Sequence, residues 1–256
     1  MEGLAQALLD LQRLTERLRR ECPWDREQTA RTIVPHTVEE AYEVADAAFT
    51  GDDAKLLDEL GDLLFQVFFL ALLTAEKDQG SLETVARSIH AKLVRRHPHV
   101  FGETEADTAR AVRANWERIK REQEGREGIF HHVPEALPAL LHARKVQQRA
   151  RAVGFEYADV EGAFADLEAE LHELKVELAS PERRSEELGD LLFAAVNVAR
   201  KLDLDPELEL RRASERFRAR VEAAEALARA DGQDWSALRL DEQDRYFDLA
   251  KGSDEP

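Results

Sequence analysis

The heptapeptide Glu-Leu-Gly-Asp-Leu-Leu-Phe occurs twice in the chain, at residues 59–65 and again at 187–193. Each copy follows a pair of acids at helical spacing, Glu40/Glu43 before the first and Glu170/Glu173 before the second. Such a duplication implies two related halves. The positions constrain them further. Glu40, Glu43, Glu59 and Asp62 centre on Gly51, and Glu170, Glu173, Glu187 and Asp190 centre on Ser180-Pro181. Both centres read as turns. In an antiparallel helix pair, residues equidistant from the turn lie side by side, and each acid pair stands about ten residues, ~15 Å along the axis, from its turn. Residues three apart share a helical face. The spacing therefore predicts two helix hairpins, each gathering its own set of carboxylates.

Composition agrees with helices throughout. Of 256 residues, 35% are charged and 43% hydrophobic, while glycine and proline number only 12 and 8, so a core is possible and helix breakers are few. No segment alternates with period two for long enough to be a strand. The expected fold is all-α: two repeated helical modules, each built on an antiparallel hairpin, assembling as a four-helix-bundle-like dimer. The Leu-Leu-Phe stripe closing each motif is expected in the core or against a partner chain. Cys22 is the one cysteine, so no internal disulfide forms, which fits a reducing, cytoplasmic setting. No apolar run approaches the roughly 20 residues of a membrane span, and the N-terminus reads as an amphipathic helix and not as a signal peptide. A net charge of −17 repels nucleic acid as a whole. An anionic substrate must then be held by a local cluster of bases or by metal ions.

The expected organisation is an N-terminal module over 1–125, a connector and linking helix over 126–152, and a C-terminal module over 153–256. Leu8, Leu11, Leu14 and Leu18 predict a first helix over 4–20, and residues 22–29 read as a loop. Thr37 is placed as the N-cap of a helix to Phe49, with Glu40 completing a capping box. Further helices are expected over 54–77, 82–96 (stopped by His97-Pro-His99), 110–124, 138–152, 159–179, 182–202, 206–230 and 241–251. Residues 125–138, with the adjacent His131-His132, form the expected connector.

Four carboxylates in one pocket repel, and unless cations neutralise them some must take up protons. Magnesium is the natural counter-ion, with manganese a possible substitute: it prefers oxygen ligands and keeps waters and substrate phosphates among them. None of the eight histidines lies three residues after a glutamate, the spacing that di-iron bundles use. Basic residues recur beside the acids. Lys55 precedes Glu59 by four positions, as Arg183 precedes Glu187; Lys92/Arg96 parallel Arg216/Arg220, and Trp116/Lys120 parallel Phe247/Lys251. A metal cage beside cations and one aromatic plane suits a nucleotide. Trp24 is read either as packing or as a border of a base pocket.

These residues resemble the MazG family of nucleoside triphosphate pyrophosphohydrolases in its two-module form. The marks are Cys22-Pro-Trp-Asp25 with Gln28-Thr29, Glu39-Glu40-x-x-Glu43, Glu59-Leu-Gly-Asp62 and Lys92-Leu-x-Arg-Arg-His-Pro-His-Val-Phe101. The resemblance implies magnesium-dependent hydrolysis of nucleoside triphosphates to monophosphate and pyrophosphate by a helical homodimer. It implies metal ligation by Glu40, Glu43, Glu59 and Asp62 and by Glu170, Glu173, Glu187 and Asp190. It places Arg183, Arg216, Arg220 and Lys251 on the triphosphate and Phe247 near the base. The second module departs from the double-glutamate opening, with Ala169 where the first has Glu39. If Glu39 positions the attacking water, module two is weakened. Two other readings are a helical nucleotide-binding or interaction module without turnover, and a pyrophosphohydrolase of other, modified nucleotides.

Overall fold

Gly51 ends one helix in the left-handed conformation, with φ of 71°, and Asp52 opens the next by accepting the Lys55 N–H at 3.0 Å. Glycine fits that C-cap because it has no Cβ to clash. Around this turn the computed structural model builds the first hairpin, from α3 (Ala30–Thr50) and α4 (Asp53–Ala75). The structure describes residues 2–102 and 133–252, together with 108, 111, 112, 115, 119 and 128–130. Among these every regular element is helical. The helix expected at 110–124 lies largely outside the described residues, as do residues 125–127 and His131 and His132 of the connector expected at 125–138.

The chain divides into two compact units, 1–124 and 125–256. In the first, α1 (Glu2–Glu21) packs on α4, and a short α2 (Pro23–Glu27) stands where the sequence predicted only loop. Arg19 ties these together. Its guanidinium reaches Glu76 at 2.7 and 2.9 Å and donates to the carbonyls of Asp25 and Gln28. Ile33, Phe69 and Leu73 form the core of this unit. α5 (Leu82–Arg96) ends at His97, as expected, and a single turn, α6 (Pro98–Phe101), follows.

α3 is capped eight residues before the expected position. Thr29, not Thr37, is the N-cap, and it exchanges bonds with Thr32 in a capping box. Thr37 sits inside the helix with its hydroxyl donating to the Ile33 carbonyl. Pro35 is tolerated within this helix at the loss of one backbone bond. The tertiary seat of Ile33, which is 2% exposed, outweighs that loss.

The second unit repeats the plan. α7 (Ala139–Ala152) packs on the hairpin of α8 (Val160–Val176) and α9 (Pro181–Lys201), followed by α10 (Pro206–Ala230) and, beyond a 3₁₀ turn at Trp235–Ala237, α11 (Leu240–Gly252). Its interior is small-residue packing: Ala163, Ala194, Val196, Ala224 and Ala228 are buried. The Leu-Leu-Phe stripe is not core here, for Leu192 and Phe193 are 51% and 43% exposed. Arg200 is buried at the far end of α9, where its guanidinium donates to both oxygens of Glu156 at 2.7 and 2.8 Å. Those bonds, with Lys201 at 3.0 Å, hold the Glu156 carboxyl down to about 2 against the opposing effect of burial.

Removing Glu156 strands a buried guanidinium. Glu156→Ala is expected to lower the unfolding free energy by about 2 kcal/mol in denaturant titration. A carboxyl depressed on folding stabilises above its ordinary value of 4.5 and less as pH falls toward 2. The difference between wild type and variant should therefore shrink on acidification through that window.

Candidate metal and nucleotide site

The two hairpins do bring acids together. Oxygens of Glu40, Glu43 and Glu59 lie within 4.8 Å of one another, and so do those of Glu170, Glu187 and Asp190. In each case α3 or α8 supplies one side of the cluster and α4 or α9 the other. Glu59 and Glu187, at equivalent places in the repeat, are the buried members. Asp62 and Glu173 fall outside these tight sets and are exposed. They remain close enough to act: Asp62 on Glu40, and Glu173 on Glu170. Mutual repulsion within each quartet favours turning its most accessible member to solvent.

The repulsion shows in the protonation equilibria. Burial pushes the Glu40 carboxyl up, with Asp62, Glu43 and Glu39 adding like charge and His36 opposing. Burial also raises Glu59, helped by a hydrogen bond with Glu43 and by its charge, while Lys55 opposes. Glu170 is raised by burial and then by Asp190, Glu173, Asp166 and Glu187.

The donor set is oxygen alone, which suits magnesium. Ligand oxygens on one magnesium stand at most ~4 Å apart at its ideal bond lengths. Clusters within 4.8 Å thus close on an ion by small side-chain movements. Gly61 and Gly189 lie between the acids of each heptapeptide. A Cβ added at either would meet nothing within 4 Å. Close helix packing within the chain therefore does not account for these glycines, and each leaves open space beside its cluster.

Bases stand next to the buried acids as the spacing predicted. Arg183 lies 3.5 Å from Glu187 and 3.2 Å from Glu177, and Lys55 acts electrostatically on Glu59. Lys92 and Arg96 on α5 occupy the same helical positions as Arg216 and Arg220 on α10, since Leu82 and Pro206 begin those helices. Lys92 and Arg216 are exposed and Arg96 and Arg220 half-buried. Phe247 and Lys251 come together on α11, with Lys251 Nζ 4.8 Å from the ring centre. Phe247 also packs on Phe217 of α10 at 5.7 Å, an aromatic partner that sequence reasoning missed although it directly follows Arg216. Trp116 and Lys120 lie outside the described residues.

Glu39 stays out of the first cluster and faces His36 at 3.6 Å. His36 in turn meets the Trp24 ring edge-on at 6.0 Å. Ala169 in module two therefore leaves its own triplet untouched. The residue equivalent to His36 there is Asp166, which accepts a hydrogen bond from the Tyr157 hydroxyl at 2.8 Å. The pattern of one contact residue a turn before the first ligand is common to both modules. Its chemistry is not.

Residues 28–101 match the family model described as the MazG nucleotide pyrophosphohydrolase domain. The nucleoside triphosphate pyrophosphohydrolase/pyrophosphatase MazG of Thermotoga maritima is 39% identical over 236 residues, which cover 91% of each chain. The nucleoside triphosphate pyrophosphohydrolase of Escherichia coli K12 is 38% identical over 237 residues, 90% of each. One from Mycobacterium tuberculosis is 32% identical over 212 residues, covering 78% of this chain and 65% of that protein. Among the described residues no helix is long and apolar enough to cross a membrane.

Carboxyls raised on folding favour the native state below their ordinary value of 4.5, and that contribution is lost as pH climbs through the raised one. A divalent ion relieves the penalty only where the acids are ionised. Magnesium is therefore expected to raise the melting temperature clearly at pH 8 and little at pH 5, read by differential scanning fluorimetry.

Proposed function

The chain belongs to the MazG family of nucleotide pyrophosphohydrolases, and on that premise we propose that it hydrolyses nucleoside triphosphates to the monophosphate and pyrophosphate. The observation that carries this reading is the pair of three-carboxylate clusters, each within 4.8 Å, in equivalent hairpins of one chain. Magnesium is the expected cofactor, with manganese able to replace it. Glu40, Glu43 and Glu59, with Asp62 turning in, would hold it in module one, and Glu170, Glu187 and Asp190, with Glu173, in module two. Bound there it would neutralise the triphosphate and the carboxylates together, which otherwise repel each other.

The chain's own residues then position the substrate and a water. Arg183 releases Glu187 to meet a phosphate oxygen, and Lys55 does the same beside Glu59. Lys92 and Arg96, or Arg216, Arg220 and Lys251, supply further cations. A glutamate of the cluster, its carboxyl made more basic by burial and neighbouring like charge, is suited to take the proton of the attacking water. Attack at the α-phosphorus breaks the α–β bridge and releases pyrophosphate. Positioning and charge neutralisation do most of the work in such transfers. Exposed leucines on α4 and α9, among them Leu57, Leu60, Leu188 and Leu192, support assembly as a homodimer.

The buried acids give the cleanest test. Glu59→Gln and Glu187→Gln each remove one charge from a repelling cluster, so both proteins should fold. The double variant is expected to release no pyrophosphate from any triphosphate with magnesium, and the two single variants reveal how turnover divides between modules. Unchanged pyrophosphate release by the double variant contradicts the assignment. Absence of release by the wild type leaves a binding module in its place.

A further inference from the structure

The helical turn that precedes the first ligand carries a carboxylate in both modules, but at different positions. In module one it is Glu39, which stays outside the cluster yet adds its charge at Glu40 and has His36 at 3.6 Å. In module two Ala169 leaves that position bare, and the acid acting on Glu170 from this side is Asp166. Asp166 lies four residues before Glu170 and so shares its face of α8.

Asp166 is oriented from outside the cluster. The Tyr157 hydroxyl donates to its Oδ1 at 2.8 Å. The Tyr157 ring rests on Gly162, where an added Cβ would stand 3.2 Å from the nearest ring atom, so the first turn of α8 is shaped to seat it. The main chain at Tyr157 is fixed in turn. Lys201 of α9 donates to its carbonyl, and the neighbouring Glu156 is held by Arg200 at 2.7 and 2.8 Å and by Lys201 at 3.0 Å. A brace therefore runs from the end of α9 through Tyr157 to Asp166.

Folding gains little from steering this side chain. Among the described residues Asp166 bonds to Tyr157 alone, and its charge adds to the repulsion at Glu170. Its Oδ2 takes no bond there. Asp166 also lines a cavity of about 630 Å³ with Phe155 and Phe193, which gives water room to reach it. An ion would engage oxygens of Glu170, Glu187 and Asp190, whereas this oxygen is kept beside them as a hydrogen-bond acceptor.

We infer that Asp166 orients the attacking water in module two, standing in for the acid absent at Ala169, and that Tyr157 is the residue that positions it. Glu39 with His36 forms the corresponding couple in module one. One hydrogen of the water is held by Asp166 Oδ2, and the other faces the glutamate that removes it. The oxygen lone pair then points at the α-phosphorus. The new P–O bond forms as the α–β bridging bond breaks, and pyrophosphate leaves with that electron pair. Asp166 neither gains nor loses a proton in this step. Orientation of this kind speeds the chemical step without tightening substrate binding. The inference rests on the hydrolase reading.

The test uses the full chain carrying Glu59→Gln, so that turnover reports module two, with pyrophosphate release followed for a panel of triphosphates and magnesium. Asp166→Ala is expected to lower kcat at least ~10-fold while KM and manganese affinity stay within about 3-fold. Tyr157→Phe keeps the ring on Gly162; it should lower kcat about 3-fold or more and add nothing once Asp166→Ala is present. Ala169 is exposed, so Ala169→Glu can be added to the Asp166→Ala chain. That restores a carboxylate at the Glu39 position and should return kcat to within about 3-fold of the parent. Melting temperatures within about 4 °C of the parent separate these effects from unfolding. Unchanged kcat in Asp166→Ala, a loss carried by KM, additive losses in the double variant, or no restoration by Ala169→Glu overturns the proposal. A wild-type chain that releases no pyrophosphate refutes the hydrolase reading and the inference with it. Release by the wild type but none by the Glu59→Gln chain refutes the inference alone.

Discussion

Like charges held at close quarters are the constraint on which this structure turns. Each hairpin sets carboxylates from two helices against one another, and each buries one of them, Glu59 or Glu187. Folding alone gains nothing from that arrangement, since burial and repulsion both raise the affected carboxyls. Under the proposed function, a divalent ion and a polyphosphate would complete it. The turn residues and the helix lengths bring those oxygens to one place.

The two modules solve the same problem with different neighbours. In the first, the residue a turn before Glu40 is His36, paired with Glu39 and touching Trp24. In the second it is Asp166, bonded to Tyr157 at the mouth of an aromatic chamber. The acid-gathering core is thus kept in both copies while the surroundings differ.

Much of this was legible in the sequence because it depends on period and symmetry. The acids centre on their turns, and Gly51 and Ser180-Pro181 do form those turns. The start of α3 was misplaced because Thr37 and Glu40 imitate a capping box. The burial of Ile33 that carries the helix back to Thr29 is a tertiary effect invisible to local pattern. The short α2 was missed for a similar reason: Arg19 secures it from outside the segment. The Leu-Leu-Phe stripe read as core or as a surface against a partner chain, yet Phe193 lines a chamber with Phe155 and Tyr157, which are distant from it in sequence.

Titration with manganese, followed by electron paramagnetic resonance, tests most directly whether the gathered acids trap divalent ions. The account predicts tight manganese binding at pH 8 by the wild-type chain, partial loss in Glu59→Gln and in Glu187→Gln, and near-complete loss when both are present. Tight binding that persists in the double variant, or its absence from the wild type, would contradict it.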